Sequence, residues 1–327
     1  MKLLLDFFRL IRLPNLIIIG LTQYAIRYGI IYPFLVQANL DLFLSEKLFG
    51  LLVSATILIA AAGYIINDYF DVKLDYLNKP NQLVIGKSIK RRYAIILHIL
   101  FNAVGIAFAG YVAWSINHPM LILFQVVSAA LLWFYSVSFK KQVLVGNLVI
   151  ASLTALVPFT AGYYEVAVMF DSIEQFAHND AIIGNNLGSL LFSIKYLLYW
   201  VIGYSAFAFL LTIIREIVKD MEDIEGDQAF DCQTLPIVYG IPKAKNLAIA
   251  ITLFTVASIA FLEAIQFMSK DWISLVYFLT LITAPLVAII FLLKKAEKKK
   301  HFFIISQAIK ICMLFGILYS LVIYAYQ

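Results

Sequence analysis

The sequence predicts an all-α protein that crosses a membrane about nine times. The chain of 327 residues is 63% hydrophobic and 14% charged, whereas about 25% of the residues in soluble domains are charged. Apolar runs of about 20 residues, the length that spans a bilayer core, recur along the whole chain. A soluble helical protein would have to bury all of these runs in one core. We therefore predict a polytopic membrane protein.

The apolar runs define the predicted transmembrane spans. In chain order, the spans are 13–36, 48–66, 93–115, 120–139, 143–164, 196–214, 246–267, 272–293 and 302–324. In the segment before the first span, Leu4, Leu5, Phe8 and Ile11 predict one apolar face of a helix that lies in the membrane interface.

The loop charges alternate with these spans. Lysine and arginine are concentrated in the N-terminal segment and in the loops after spans two, four, six and eight, whereas the other loops hold only Lys47, Lys195 and Lys270. Because positively charged loops stay in the cytoplasm, we expect a cytoplasmic N-terminus, an outside C-terminus and an inner or plasma membrane location. The region 165–195 is expected to be an outside loop or interfacial helix, and the sequence assigns it no chemical role.

Two acidic motifs stand at the cytoplasmic ends of spans two and six. Motif one covers residues 67–75, motif two covers residues 220–227, and both contain the pattern Asp-x-x-Asp-x-x-x-Asp. The aspartates are Asp68, Asp71 and Asp75 in motif one and Asp220, Asp223 and Asp227 in motif two. On a helix these positions share one stripe, where three carboxylates repel one another unless a cation neutralises them. Ligands that are all oxygen indicate Mg²⁺, Mn²⁺ or Ca²⁺.

The surroundings of the motifs indicate a lipid diphosphate as the ligand. Mg²⁺ usually binds one or two carboxylates together with substrate phosphates, so two facing motifs would hold several such ions around one diphosphate. Basic side chains that can bind phosphate oxygens lie nearby in the sequence; they are Arg12, Lys73, Lys140, Lys141, Arg215 and Lys219. An apolar interior lined by helices would hold the hydrocarbon tail. No nucleic-acid motif is present.

Two other classes of membrane protein use acidic motifs. A phosphatidyl-group transferase needs an Asp-Gly pair followed by Ala-Arg, which neither motif contains. A divalent-cation transporter would place its carboxylates near the middle of the membrane on broken helices, whereas both motifs here adjoin basic loops. The transporter stays the alternative from a different functional class.

Both motifs resemble those of a known family. Residues 67–75 resemble the first Asp-rich motif of the UbiA superfamily of intramembrane prenyltransferases, and residues 220–227 resemble the second. Three flanking segments agree with it: 12–15 at the start of span one, 135–147 between spans four and five, and 234–240 after motif two. The resemblance covers roughly residues 9–325. It implies a single prenyltransferase domain over 1–327, with the helices around a central lipid-facing cavity capped by cytoplasmic loops.

The resemblance also implies an activity and a set of site residues. The activity is Mg²⁺-dependent transfer of a prenyl group from a polyprenyl diphosphate to an acceptor. The implied metal ligands are Asn67, Asp71, Asp223 and Asp227, and the other motif aspartates, Asp68, Asp75 and Asp220, would orient waters or basic groups. The implied substrate-binding residues are Arg12, Asn67, Tyr135, Lys140, Arg215 and Lys219. Tyr69, Tyr135 and Tyr204 could face a developing allylic cation.

The sequence departs from the family in the loop after motif one. An Arg-Pro pair is absent there and Val84-Ile85 replaces part of the turn, so Lys79 or Lys87 would have to supply the missing positive charge. The run 215–223 is similar to the geranylgeranylglyceryl phosphate geranylgeranyltransferase branch, which makes ether lipids. Geranylgeranylglyceryl phosphate is therefore the preferred acceptor. An aromatic acceptor of quinone or haem biosynthesis stays an open alternative.

Overall fold

The computed structural model describes residues 2–37, 40–78, 83–179 and 187–326. These residues form helices and connecting turns, with one isolated β-bridge between Ile85 and Ile89. The helices are α1 (Lys2–Leu10), α2 (Leu13–Ile26), α3 (Tyr32–Gln37), α4 (Glu46–Asn78), α5 (Arg91–Ser115), α6 (Ile122–Val137), α7 (Val145–Asn179), α8 (Leu187–Glu222), α9 (Ile224–Ala229), α10 (Leu235–Tyr239), α11 (Ile241–Met268), α12 (Trp272–Phe278), α13 (Ala284–Lys295) and α14 (Lys299–Tyr326).

Eight stretches of helix in the described part of the chain are long and apolar enough to cross a membrane. They are Glu46–Val72, Arg91–Ser115, Pro119–Val137, Val145–Asp171, Ile194–Glu222, Ile241–Met268, Trp272–Lys295 and Lys299–Tyr326. They match the second to ninth predicted spans, so the all-α membrane fold class is confirmed. The count of nine, the single domain over 1–327 and the central cavity stay predictions.

The first predicted span is helical but more polar than the others. It consists of α2, a π-helical turn (Arg27–Ile31) and α3. Gln23 is fully buried in α2, and its side-chain amide donates to the Thr56 and Thr160 hydroxyls at 3.2 and 3.3 Å. Polar groups inside a membrane protein must find partners within the protein. The helices that carry these threonines therefore satisfy the hydrogen-bond donors of the buried Gln23 side chain.

A buried ion pair lies further along the same span. The Arg27 side chain is 1% exposed, and its Nη1 lies 3.3 Å from the Glu165 carboxylate, which is fully buried. The other Glu165 oxygen accepts hydrogen bonds from the backbone N–H groups of Phe43 and Leu44 at 2.6 and 2.9 Å. At Glu165 the region 165–195 therefore has a role that the sequence did not reveal. The helix α7 continues through this residue, and its carboxylate fixes the segment before α4.

The described residues form two compact units. The first comprises Met1–Val137, Leu156–Ser205 and Ile323–Gln327, and it contains motif one. The second comprises Ser138–Ala155 and Ala206–Val322, and it contains motif two. Each motif therefore has a surrounding structure of its own.

Close helix packing in the first unit gives a test of stability. A Cβ at Gly162 on α7 would lie 2.3 Å from a methyl carbon of Val201 on α8, a β-branched residue with few rotamers. We expect Gly162→Ala to lower the free energy of unfolding by about 1–3 kcal/mol, as overpacking does. Gly203→Ala is the matched control, because nothing lies within 4 Å of a Cβ there. Equal thermal unfolding midpoints for the two variants would contradict this packing.

Candidate active site

Motif one forms the last turns of α4. The helix continues to Asn78, so Asp68 and Asp71 lie on it at the predicted i, i+3 spacing. Both side chains are partly buried, and their carboxylates lie close enough to repel each other, while the Asn67 side chain hydrogen-bonds Asp68. The Asp75 side chain lies outside the described residues. The structure thus brings together the oxygen groups of Asn67, Asp68 and Asp71 at the end of one helix.

Arg12 lies against motif one, although 56 positions separate it from Asp68. Its guanidinium donates to the Asp68 carboxylate at 3.0 Å and lies 4.7 Å from the centre of the Tyr64 ring. Desolvation alone would lower the pKa of Arg12, but Asp68, Tyr64 and Tyr135 outweigh it and raise the pKa. The guanidinium therefore stays positively charged beside the aspartates. Tyr135, a predicted substrate-binding residue, also belongs to this group.

The backbone of Arg12 supports a functional role for this arrangement. Its φ of 51° lies in the left-handed region, which costs a non-glycine residue about 1–2 kcal/mol. Such conformations persist where surrounding contacts enforce them, and they are frequent at functional sites. Here the turn between α1 and α2 directs the side chain towards Asp68.

The unusual loop after motif one packs against the N-terminal helix. Val84, Ile85 and Ile89 are buried in one apolar cluster with Leu10 and Ile11. Tyr69 and Val72 of motif one pack against the same cluster, and the Ser88 hydroxyl donates to the Asp6 carboxylate. The residues that replace the family's Arg-Pro turn therefore act as apolar contacts. Lys79 lies outside the described residues, and Lys87 is exposed.

The N-terminal helix matches its predicted interfacial character in part. Leu4, Leu5 and Phe8 of α1 are exposed, as a membrane-facing side requires, and Leu3 joins them. Ile11 was predicted on the same face, but it follows the end of α1 and is buried. The turn after Leu10 redirects the chain, which a helical periodicity cannot anticipate.

Motif two spans a break between two helices. Asp220 lies on α8, Asp223 stands between α8 and α9, and Asp227 lies on α9. A single straight stripe through all three aspartates is therefore interrupted at Asp223. The i, i+4 relation of the two predicted metal ligands is kept, because the Asp227 N–H donates to the Asp223 carbonyl at 3.0 Å.

Neighbouring polar groups hold motif two. The Asn147 side-chain amide donates to the Asp220 carboxylate at 2.8 Å. Lys299 at the start of α14 lies 4.0 Å from the Asp223 carboxylate, which is partly exposed. Asp220 and Asp223 therefore each have a polar partner within the second unit. The sequence pattern includes Asn147 only as the end of the flanking segment 135–147, and it does not identify Lys299.

Two of the predicted phosphate-binding cations of the second unit pair with Glu216. Arg215 Nη1 lies 2.8 Å and Lys219 Nζ lies 3.2 Å from the carboxylate oxygens of Glu216. Lys140 lies in a short 3₁₀ turn (Phe139–Lys141), and the Lys141 carbonyl accepts a hydrogen bond from the Gln233 N–H at 2.8 Å. This bond joins the Lys140 turn to the segment that follows motif two. The role of Glu216 in ordering both cations was not anticipated from the sequence.

The donor groups of the two motifs fit Mg²⁺. They fit less well a metal ion whose ligands must all come from the protein. The side chains at the two motifs are carboxylates and an amide, which are hard oxygen donors. Within the part of the chain that the structure describes, three or more His, Cys, Asp or Glu side chains never come together closely enough to hold a metal ion. Each motif by itself could hold only part of a coordination shell, and Mg²⁺ commonly completes such a shell with water and phosphate oxygens.

Two curated relatives are similar to this chain. A digeranylgeranylglyceryl phosphate synthase from Methanosphaera stadtmanae is 30% identical over 77% of this chain and 79% of its own length. A digeranylgeranylglyceryl phosphate synthase from Thermococcus sibiricus is 33% identical over 60% of this chain, and the match spans 57% of that relative's length.

Two solved structures share the fold. A structure of a digeranylgeranylglyceryl phosphate synthase superposes with a TM-score of 0.63, at 23% identity over 100% of both chains. A UbiA homolog from Archaeoglobus fulgidus bound to GPP and Mg²⁺ gives 0.60, at 18% identity over 98% of this chain and 99% of that one. The UbiA prenyltransferase family model matches residues 30–323, and the chain therefore belongs to the UbiA prenyltransferase family.

Proposed function

We propose that this protein transfers a geranylgeranyl group from geranylgeranyl diphosphate to geranylgeranylglyceryl phosphate. The observation that supports the reaction class is the placement of two incomplete oxygen-ligand sets, one at the end of α4 and one where α8 meets α9. The observation that supports this acceptor is the similarity of the chain to digeranylgeranylglyceryl phosphate synthases.

The proposed metal ligands are Asn67 and Asp71 from motif one and Asp223 and Asp227 from motif two. A solved relative bound to GPP and Mg²⁺ supports this choice of ion. When bound, Mg²⁺ would stabilise the negative charge that develops on the leaving diphosphate. The remaining motif aspartates act differently. Asp68 orients Arg12 through their 3.0 Å contact.

The cations of the site would bind the diphosphate oxygens. Arg12 presents a guanidinium next to motif one, and Lys140 and Lys219 adjoin motif two. Charge-assisted contacts of this kind are stronger than neutral hydrogen bonds. In the transfer, the bond between the prenyl carbon and the diphosphate oxygen breaks, and the acceptor hydroxyl oxygen forms a new ether bond to that carbon. The hydroxyl proton leaves with the inorganic diphosphate.

Tyrosine rings near the motifs are proposed to differ in their roles. Tyr69 already lies under the Arg91 guanidinium, at 4.5 Å from the ring centre to the carbon of that group. Its ring face is therefore used by a protein cation. Tyr135 lies near Arg12, and it is the better candidate to face an allylic cation.

A comparison of acceptors tests this proposal. Purified protein in lipid nanodiscs would receive geranylgeranyl diphosphate and one acceptor at a time, either geranylgeranylglyceryl phosphate or 4-hydroxybenzoate. We expect release of diphosphate and an ether product only with the glyceryl phosphate. A prenylated aromatic product would establish the alternative acceptor class. Transport of Mg²⁺ into vesicles without any product would establish the transporter instead.

We also propose that both motifs face the cytoplasm, with the N-terminus on the same side and the C-terminus outside. The positively charged loops next to the motifs support this orientation. Labelling a cysteine added after Tyr326 with an impermeant reagent in intact cells would test it. Labelling only after the cells are broken would show that the C-terminus lies in the cytoplasm, which would contradict the proposed orientation.

A further inference from the structure

A second cationic group lies deeper in the second unit than motif two. Arg215 precedes Asp223 by eight residues, which is about 12 Å along a helix. Lys310 on α14 lies within electrostatic range of Arg215. The α14 helix begins at Lys299, so Lys310 stands about 16 Å along it. Lys310 is the one charged residue in the sequence between His301 and the C-terminus.

Lysine at this depth in a membrane helix is costly and marks a functional candidate. A lysine side chain near a helix end can extend to the membrane surface, but three turns of α14 separate Lys310 from its first residue. Lys310 is partly buried, and a second positive charge, that of Arg215, lies nearby. Arg215 is paired with the Glu216 carboxylate, and a further anion beside both cations would be attracted to each of them.

Two polar side-chain atoms on α8, one of them on Arg215, are buried without a hydrogen-bond partner among the described residues. Arg215 donates to Glu216 through Nη1, but its Nε is buried and has no hydrogen-bond partner among the described residues. Thr212 lies one turn earlier on the same face, and its hydroxyl is likewise buried and without a partner in the described part of the chain. Other threonines in the spans, such as Thr160 and Thr252, donate to the carbonyl four residues earlier.

We propose that Thr212, Arg215 and Lys310 form the binding site for the phosphomonoester of the acceptor. This inference rests on the proposed function, in which the acceptor is a glyceryl phosphate with one alkyl chain. A hydroxyl, a guanidinium and an ammonium group together match the oxygens of a phosphate. Glu216, bonded to Arg215 and Lys219, keeps the guanidinium oriented.

This assignment separates two anions along α8. The diphosphate belongs near Asp223 and Asp227, whereas the acceptor phosphate lies two turns away beside Arg215. The sequence had suggested that Arg215 binds the diphosphate, and the neighbouring Lys310 favours the acceptor instead. A substrate without a phosphate could not use this site, which explains how the protein would select a phosphorylated acceptor over a neutral one.

Kinetics with two substrates test the site. In Lys310→Met we expect the KM for geranylgeranylglyceryl phosphate to rise about tenfold to a hundredfold, the effect of losing one charge-assisted contact. The KM for geranylgeranyl diphosphate should change by less than about twofold, because Lys310 is not proposed to contact the diphosphate. Lys310→Arg keeps the charge and should restore most of the acceptor affinity. Turnover of geranylgeranylglycerol, which lacks the phosphate, should be the same in Lys310→Met and wild type.

One control variant, a second site variant and the wild-type protein keep the outcomes distinct. Lys195→Met changes an exposed lysine at the other end of α8 and should alter neither KM. Thr212→Val removes the hydroxyl without changing volume or charge, so it tests the site even if Lys310→Met fails to fold, and it should also raise the acceptor KM. Wild-type protein that makes no ether product from the glyceryl phosphate would overturn the proposed function, and this inference with it.

With wild type active, the variants decide the inference alone. A parallel rise of both KM values would place Lys310 in the diphosphate site and overturn the assignment. Unchanged KM values in both Lys310→Met and Thr212→Val would show that these residues only support the fold. Equilibrium binding of the acceptor in the absence of diphosphate would confirm the assignment if the variants weaken it while thermal unfolding stays at the wild-type midpoint.

Discussion

Replacing Asp71 or Asp223 with alanine is expected to remove nearly all prenyl transfer while the protein still folds. Each residue is a proposed metal ligand, and metal ions supply several kcal/mol of transition-state stabilisation. At about 1.4 kcal/mol for each tenfold change, the loss in kcat/KM should be on the order of a thousandfold or more. Because both ligand sets are proposed to act on one leaving group, the double variant should lose little more than either single variant. Steady-state kinetics in nanodiscs measure all three.

A neighbouring carboxylate provides the control for this pair. Glu225 lies between Asp223 and Asp227, but its side chain is exposed and it is not a proposed ligand. We expect Glu225→Ala to keep wild-type turnover. Wild-type turnover in Asp71→Ala or in Asp223→Ala would show that the motif concerned does not hold the metal. A double variant whose loss equals the product of the single losses would show that the two motifs act independently.

Removing divalent cations is expected to abolish transfer completely. The carboxylates of both motifs and the diphosphate are all anions, so they repel one another unless a cation lies between them. The cations Arg12 and Lys219 are already paired with Asp68 and Glu216, which leaves less protein charge for the substrate. Dialysis against chelator should stop product formation, and added Mg²⁺ should restore it.

The fold itself should survive chelation, because the structural ion pairs such as Arg27 with Glu165 contain no metal. Thermal unfolding with and without chelator is therefore the companion measurement. Unchanged turnover in excess chelator would contradict the metal site. Loss of helical structure on chelation would instead make the metal a structural component.

Most of the fold could be predicted because membrane spans have a strong local signal. Apolar length and loop charge located eight helices that the structure confirms. The first span was harder to characterise, since Gln23 and Arg27 are polar residues whose partners, Thr160 and Glu165, lie more than 130 positions away. Sequence spacing cannot reveal such distant partners. The same limit explains why Glu165 was assigned to a loop.

The candidate site was only partly accessible to sequence reasoning. Motif spacing identified Asp71 and Asp223, and the contact of Arg12 with Asp68 matches the expectation that Arg12 belongs to the site. Asn147 and Lys310 were not identified, because a single polar residue in an apolar helix has no periodic signal. Their roles depend on which helices pack together, and this is a property of the tertiary structure.

The apolar cluster between α1 and the loop around Val84 and Ile85 has a consequence for how the protein senses its surroundings. The helix α1 has Leu3, Leu4 and Leu5 exposed, where lipid headgroups and acyl chains would cover them. Tyr69 and Val72 of the first motif pack on the cluster that α1 shares with the loop. Lipid that holds α1 at the membrane surface would therefore also hold the apolar support of the first acidic motif in place.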